Sequence, residues 1–189
     1  MARERQSIRF QSRAELRAWL AKHGNDSGGI WAEYPKGKAQ GFGWDALVEE
    51  CLSFGWIDST PKKVDADFTS TYIAPRNPKS GWSRRNKELV EKLRTAGLMQ
   101  ESGEAAIKIA QQNGSWELFD LAEDLVFPEK LELQFNLHPE AREGFLNYPA
   151  RTQKAVLQWL YSAKREDTLD ARIEKVLKAT QSGQRLAGF

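Results

Sequence analysis

The sequence predicts an α+β fold, with a small N-terminal β-sheet packed with helices and an all-helical C-terminal unit. Three observations lead to this prediction. Segments rich in alternating, β-branched or aromatic residues occur only early in the chain. Later apolar residues recur every three or four positions, as in helices. Pro128, Pro139 and Pro149 stand where these late helices are expected to begin. We therefore expect an α+β domain over 1–127 and a helical unit over 128–189.

The first elements are predicted to be a strand, a helix and a second strand. Ser7–Phe10 has the composition of a short strand. Ser12 can cap a following helix, because Glu15 lies three residues later, which is the capping-box spacing. Gly29–Tyr34 is expected to be a strand, with Ile30, Ala32 and Tyr34 on one face and Trp31 and Glu33 on the other.

A helix and a third strand follow. The helix over Trp44–Phe54 carries Cys51 on its apolar face, where a cysteine without a basic partner is expected to be buried and unreactive. Thr60–Lys63 is predicted to be a lysine-bearing turn. Phe68–Ala74 contains β-branched and aromatic residues and is predicted to be a strand. The sheet is therefore expected to contain three strands.

The remaining segments are predicted to be helical. Ser83 is a suitable N-cap for a helix that ends before Gly97. In the C-terminal part, Trp159 lies at helical spacing among small and aliphatic residues. We therefore expect Trp159 to be a core residue without a role in recognition.

Composition excludes several classes of protein. The chain has 189 residues, one cysteine and two histidines, so we expect no internal disulfide, no metal site and no cofactor. The N-terminus lacks an apolar signal region, and the longest apolar runs are too short to span a membrane. These features predict a cytoplasmic protein without a membrane span.

The net charge is only +2, but the charges are unevenly distributed. Basic residues are frequent near the N-terminus, over 76–94 and in the last helices, whereas 117–132 is acidic. Such asymmetry is found on surfaces that bind polyanions and also on ordinary solvated helices. Both interpretations remain open at this point.

The stretch Phe54–Asn86 combines the residue types of a ligand site. Tryptophans provide flat walls, a guanidinium binds carboxylates or phosphates, and short polar side chains provide selectivity. The candidate ligand-binding residues are Trp56, Asp58, Arg76, Ser80, Trp82, Ser83 and Asn86. The alternative is a structural corner in which Asp58 pairs with Arg76 and both tryptophans belong to the core.

Several motifs occur together in a specific order. They are Phe54-Gly55-Trp56-Ile57-Asp58, Pro75-Arg76, Lys79-Ser80-Gly81-Trp82-Ser83 with Asn86, Gly97-Leu98-Met99, Asn113-Gly114-Ser115-Trp116, and then Pro149 through Trp159, Ser162-Ala163-Lys164-Arg165, Thr168 and Arg172-Ile173. In these motifs the chain resembles the YdeI/OmpD-associated proteins, also called the bacteriocin-protection family. The resemblance implies a link to stress or antimicrobial-peptide resistance. Tyr72 and Leu169 stand where arginines are common in that family, which weakens the expectation of a strong polyanion site.

Three functions are compatible with the sequence. The favoured one is a non-catalytic binding protein with a cleft for a small anionic ligand. The second is an enzyme that uses Asp58 as a base, although no second acid, histidine or cysteine lies at a suitable spacing. The third is a nucleic-acid-binding protein that uses Arg84, Arg85, Lys87 and the basic last helices. The sequence does not predict an oligomeric state.

Overall fold

The computed structural model describes residues 6–37, 41–183, 186 and 188. The chain divides into two compact units, which we call unit 1 (Met1–Ser80 and Arg85–Asn113) and unit 2 (Gly81–Arg84 and Gly114–Phe189). The predicted domain boundary between residues 127 and 128 stays a prediction.

In its described part, unit 1 contains a four-stranded mixed sheet and four helices. Its elements are β1 Ser7–Arg9, α1 Arg13–His23, β2 Ile30–Pro35, α2 Trp44–Ser53, β3 Trp56–Lys63, β4 Phe68–Pro75, α3 Arg84–Thr95, whose first residue belongs to unit 2, and α4 Glu101–Gln112. The strand order is β1-β2-β4-β3. Strand β1 is parallel to β2, and the other neighbours are antiparallel. The predicted α+β class and the early sheet are confirmed.

Strand β3 corrects one prediction. Thr60–Lys63, predicted to be a turn, continues β3, and its last three residues pair with β4. Pro61 has no backbone N–H to donate to a neighbouring strand. It is compatible with a strand here because β3 lies at the edge of the sheet. The register shifts between Asp58 and Pro61, which marks a bulge or irregularity. The sheet therefore has one strand more than the sequence predicted.

The predicted alternation of β2 is confirmed. Ile30, Ala32 and Tyr34 are buried, whereas the intervening residues are partly exposed. The core of unit 1 includes this face of the sheet and the buried residues of α1 and α2. Cys51 is among these buried residues, so its predicted burial is also confirmed.

Ion pairs join α1, α2 and α3 within unit 1. Glu50 is buried and accepts hydrogen bonds from Arg13 Nε at 2.6 Å and Arg17 Nη1 at 2.8 Å. Glu49 accepts hydrogen bonds from Arg13 Nη1 at 2.7 Å and Lys92 Nζ at 2.8 Å. Burial alone would raise the pKa of Glu49, but the hydrogen bonds from Lys92 and Arg13, together with the positive charges of these residues, lower the pKa.

We expect acid to remove part of the stability that Glu49 provides. Because the pKa of Glu49 is lower in the folded than in the unfolded chain, its contribution is fully present above the ordinary value of 4.5. The contribution is lost as the pH falls through the lower, folded-state pKa. Urea midpoints measured between about pH 6 and pH 3 should fall less for Glu49→Gln than for the wild type. The exposed Glu88→Gln is the control and should follow the wild type; equal acid losses in both variants would contradict this prediction.

Unit 2 is helical over its described residues. Its helices are α5 Asp120–Glu123, α6 Glu129–Leu137, α7 Pro139–Leu146, α8 Ala150–Tyr161 and α9 Glu166–Gln181. Helices α6, α7 and α8 begin at or directly after the three prolines, as predicted. Helix α7 approaches α9 closely at Gly144, where a side chain would overlap the Thr180 carbonyl oxygen. No described helix combines the length and the apolar character needed to cross a bilayer.

Candidate ligand site around Asp58 and Arg76

Arg76 directly follows β4, and its side chain is buried. Its backbone N donates a hydrogen bond to Gly55 O at 3.0 Å, which connects the end of β4 to the turn between α2 and β3. Arg76 is only 8% exposed, although the neighbouring residues Pro75 and Asn77 are exposed. The structure thus directs one guanidinium inward from an exposed stretch.

The electrostatic environment of Arg76 is unusual for an arginine. Burial lowers the pKa of Arg76 to about 10, and the negative charge of Asp58 offsets part of this effect. The net shift is downward, so the desolvation of the guanidinium outweighs its attraction to Asp58. An additional negative charge beside Arg76 would stabilise its charged form.

Asp58 lies in β3 directly before the shift in register and opposite Ile73 of β4. Its Oδ2 accepts a hydrogen bond from Trp44 Nε1 at 3.0 Å. Burial raises the pKa of both Tyr34 and Cys51, and the charge of Asp58 raises each of them further. Asp58 therefore lies within electrostatic reach of side chains from β2, α2 and the end of β4.

Two more pairs complete this cluster in unit 1. The hydroxyl groups of Tyr34 and Thr71 form a buried hydrogen bond of 3.1 Å. Trp44 is 41% exposed, and the guanidinium of Arg85 lies 4.5 Å from the centroid of its ring. Arg85 Nη2 also donates to Asp45 Oδ1 at 2.8 Å. Trp44 and Arg85 thus form the outer side of the cluster, and the hydroxyl pair lies inside.

Two other predicted site residues of unit 1, Trp56 and Ser80, make structural contacts. Trp56 is 2% exposed, its Nε1 donates to Gly24 O at 3.1 Å, and it meets Trp19 edge to face at a centroid distance of 5.7 Å. These contacts place Trp56 in the core. Ser80 Oγ donates to Asn77 O at 2.8 Å and so closes a local turn.

The remaining predicted residues are divided between the units. Trp82 and Ser83 belong to unit 2, where Trp82 is 1% exposed and its ring centroid lies 4.9 Å from that of Trp116. Asn86 is a partly buried residue of α3 in unit 1. Of the seven predicted residues, Asp58 and Arg76 are the two whose charges are shown to interact.

Two family models match the chain. The first, described as Domain of unknown function (DUF8412), matches residues 8–106, which are 99 of the 189 residues. The chain belongs to this family. The DUF8412 match includes both Asp58 and Arg76. The second model, described as Bacteriocin-protection, YdeI or OmpD-Associated, matches residues 124–183 and confirms the resemblance seen in the sequence. No curated protein and no solved structure matches the chain.

Four residues of the DUF8412 region that belong to the cluster were not predicted from the sequence. They are Tyr34, Trp44, Cys51 and Thr71. Trp44 directly follows Gly43 at the start of a helix, and the local sequence does not distinguish it from a core tryptophan. The other three depend on strand register and helix packing, which the local sequence does not show.

The enzyme alternative needs Asp58 as a base, and Asp58 Oδ2 accepts the hydrogen bond from Trp44 Nε1 at 3.0 Å. Burial raises the pKa of Cys51 well above its ordinary value, so this thiol stays protonated near neutral pH and is a poor nucleophile. Arg84, needed for nucleic-acid binding, pairs with Asp124 at 2.6 Å. Arg85 pairs with Asp45 at 2.8 Å. These contacts reduce the positive charge available to a polyanion.

Proposed function

We propose that this DUF8412 protein is a non-catalytic binding protein that takes a small anionic ligand at Arg76. The observation that carries the proposal is a buried guanidinium whose pKa is lowered to about 10 despite the nearby charge of Asp58. Residues with strongly perturbed pKa values are concentrated at functional sites. An anion bound here gains a charge-assisted hydrogen bond and offsets the desolvation of Arg76.

The surrounding groups define the class of ligand further. Asp58 repels a second negative charge on the ligand and accepts hydrogen bonds, so it favours a ligand with a single anionic group and a neighbouring donor. Trp44 offers a partly exposed flat face beside Asp58. A small hydroxy acid has this chemistry, and binding rather than catalysis fits a cluster whose thiol, Cys51, stays protonated.

The test compares three variants of the full chain by urea denaturation, each with and without inorganic phosphate or lactate. For the wild type, a ligand at about 100 times its Kd should raise the free energy of unfolding by about 2.7 kcal/mol. Arg76→Gln should lose this ligand effect. Asp58→Asn should bind the anion more tightly, because it removes a competing negative charge. Lys63→Gln, which removes an exposed cation of the same unit, should behave as the wild type.

A structural corner predicts a different result. If Asp58 and Arg76 serve only as a buried pair, Asp58→Asn and Arg76→Gln should each lose roughly 3–5 kcal/mol, because each leaves the other charge uncompensated. In that case neither phosphate nor lactate should change the unfolding of the wild type. This combination would exclude the anion site.

The proposal also extends to the cell. The second family is described by its link to bacteriocin protection, and we place this protein in the cytoplasm as part of a stress or antimicrobial-peptide response. Bacteria sensitive to a bacteriocin should survive better when they produce the wild type than when they produce Arg76→Gln at the same level. Equal survival of the two strains would show that ligand binding at Arg76 is not needed for protection.

A further inference from the structure

One face of α8 lines a cavity of about 670 Å³ in unit 2. This volume lies within the range of roughly 300–1,000 Å³ that is typical of small-molecule sites. The helix contributes Arg151, Thr152, Ala155, Gln158, Trp159 and Ser162, which recur at helical spacing, and Phe119 lies among the other lining residues. The opposite face of α8 carries the buried core residues of unit 2.

Trp159 forms a fixed flat wall of this cavity. Trp159 packs against the helical core, in agreement with its predicted core position, but it is only partly buried and also lines the cavity. The guanidinium of Arg172 lies 4.9 Å from the centroid of the Trp159 ring. Arg172 Nη1 also donates to Trp159 O and, at 2.9 Å, to Ser162 Oγ. The hydrogen bonds hold the guanidinium, which in turn covers one face of the Trp159 ring.

Phe119 provides the second flat wall. It packs directly on Gly81, where any side chain would overlap the phenyl ring. Phe119 is only partly buried, so part of the ring remains exposed toward the cavity. Aromatic rings held in this way bind planar ligands by stacking at little entropic cost.

The cavity also holds an uncompensated positive charge. Arg151 is exposed and makes no ion pair or side-chain hydrogen bond with any residue that the structure describes. Glu123 of α5 is engaged by two other residues of α8, Lys154 Nζ at 3.3 Å and Gln158 Nε2 at 3.0 Å. Arg151 is therefore available to an anion.

We infer that this cavity is a second ligand site, distinct from the Arg76 cluster, that binds a planar aromatic anion. The aromatic group stacks on Trp159 and Phe119, and the anionic group is bound by Arg151. Thr152, on the same helix face, supplies a hydroxyl group, whereas the Ser162 hydroxyl already donates to Trp159 O at 2.7 Å. The inference does not depend on the proposed function, because it uses residues of unit 2 alone.

The experiment is isothermal titration calorimetry of the full chain with two probes. AMP combines a planar aromatic group with a phosphate, and indole-3-acetate combines one with a carboxylate. If the site accepts any aromatic anion, both probes should bind and compete for the same site. If only one probe binds, its phosphate or carboxylate is the anionic group that the site requires. Adenosine and inorganic phosphate should each bind at least about tenfold more weakly than AMP, because each lacks one of the two contacts. No binding of either probe at millimolar concentration would overturn the inference.

Three variants locate the site. Arg151→Gln should weaken the binding of the accepted probe at least about tenfold, because a charge-assisted contact is lost. Ala155→Leu should abolish binding by filling the cavity without changing its charge. Arg165→Gln removes an exposed arginine at the start of α9 and should bind as the wild type. Arg76→Gln should also bind as the wild type, which separates this site from the Arg76 cluster. Unchanged binding by folded Arg151→Gln or Ala155→Leu would overturn the inference.

Discussion

Trp56→Ala should lower the free energy of unfolding by about 3–5 kcal/mol, as expected for removal of a fully buried tryptophan. Trp56 is 2% exposed and contacts Trp19 at a centroid distance of 5.7 Å, so the truncation leaves a cavity between α1 and the sheet. It also leaves Gly24 O without the hydrogen bond from Trp56 Nε1. Urea denaturation of both proteins measures the loss.

The effect should extend to the candidate ligand site. Trp56 pairs with Pro75 in the sheet, and the next residue, Arg76, donates its backbone hydrogen bond to Gly55 O. A looser strand at Trp56 should therefore weaken anion binding as well as stability. A Trp56→Ala variant that loses stability but binds the anion as tightly as the wild type would contradict this coupling.

Trp44→Ala is the matched control for Trp56→Ala. Trp44 is 41% exposed, so its truncation leaves little cavity and removes mainly the hydrogen bond to Asp58, for a loss of about 1 kcal/mol. Equal losses of unfolding free energy in the two variants would show that the contribution of Trp56 to stability does not depend on its burial.

Phe145→Ala should cost a similar 3–5 kcal/mol in unit 2. Phe145 is 0% exposed, and its ring contacts Phe127 at 5.5 Å, Phe135 at 5.6 Å and Tyr148 at 5.9 Å between centroids. Truncation to alanine removes one ring from the centre of this cluster, and the remaining rings cannot close the space without leaving their packed positions. The loss should be seen in the unfolding of the helical signal by circular dichroism.

The neighbouring residue provides the control for Phe145→Ala. Leu146 also belongs to α7 but is 53% exposed, so Leu146→Ala should change the free energy of unfolding by less than about 1 kcal/mol. A loss from Leu146→Ala as large as that from Phe145→Ala would place the core of unit 2 on the wrong face of α7.

Local patterns were sufficient to predict much of the fold. The alternation in β2, the capping residue Ser12 and the three helix-starting prolines are properties of short segments, and each was found where predicted. The capping hydrogen bond from Glu15 N to Ser12 Oγ, at 3.3 Å, involves residues only three positions apart. Such interactions need no partner from elsewhere in the chain.

Strand β3 was not predictable in the same way. Its second half, Pro61-Lys62-Lys63, has the composition of a turn and becomes a strand because β4 supplies the pairing partner. Likewise, the spacing of Trp159 fits either a core residue or a cavity wall, and the packing of the other helices selects between them.

The sequence by itself determined the α+β class, the helical C-terminal part and the presence of Asp58 and Arg76 in one motif cluster. Only the tertiary structure decided that the charges of these two residues interact, that Trp44 donates a hydrogen bond to Asp58, and that Trp56 lies in the core. The physical reason is that periodicity and capping are interactions along the chain, whereas burial, and with it the lowered pKa of Arg76, depends on which distant segments exclude water from a side chain.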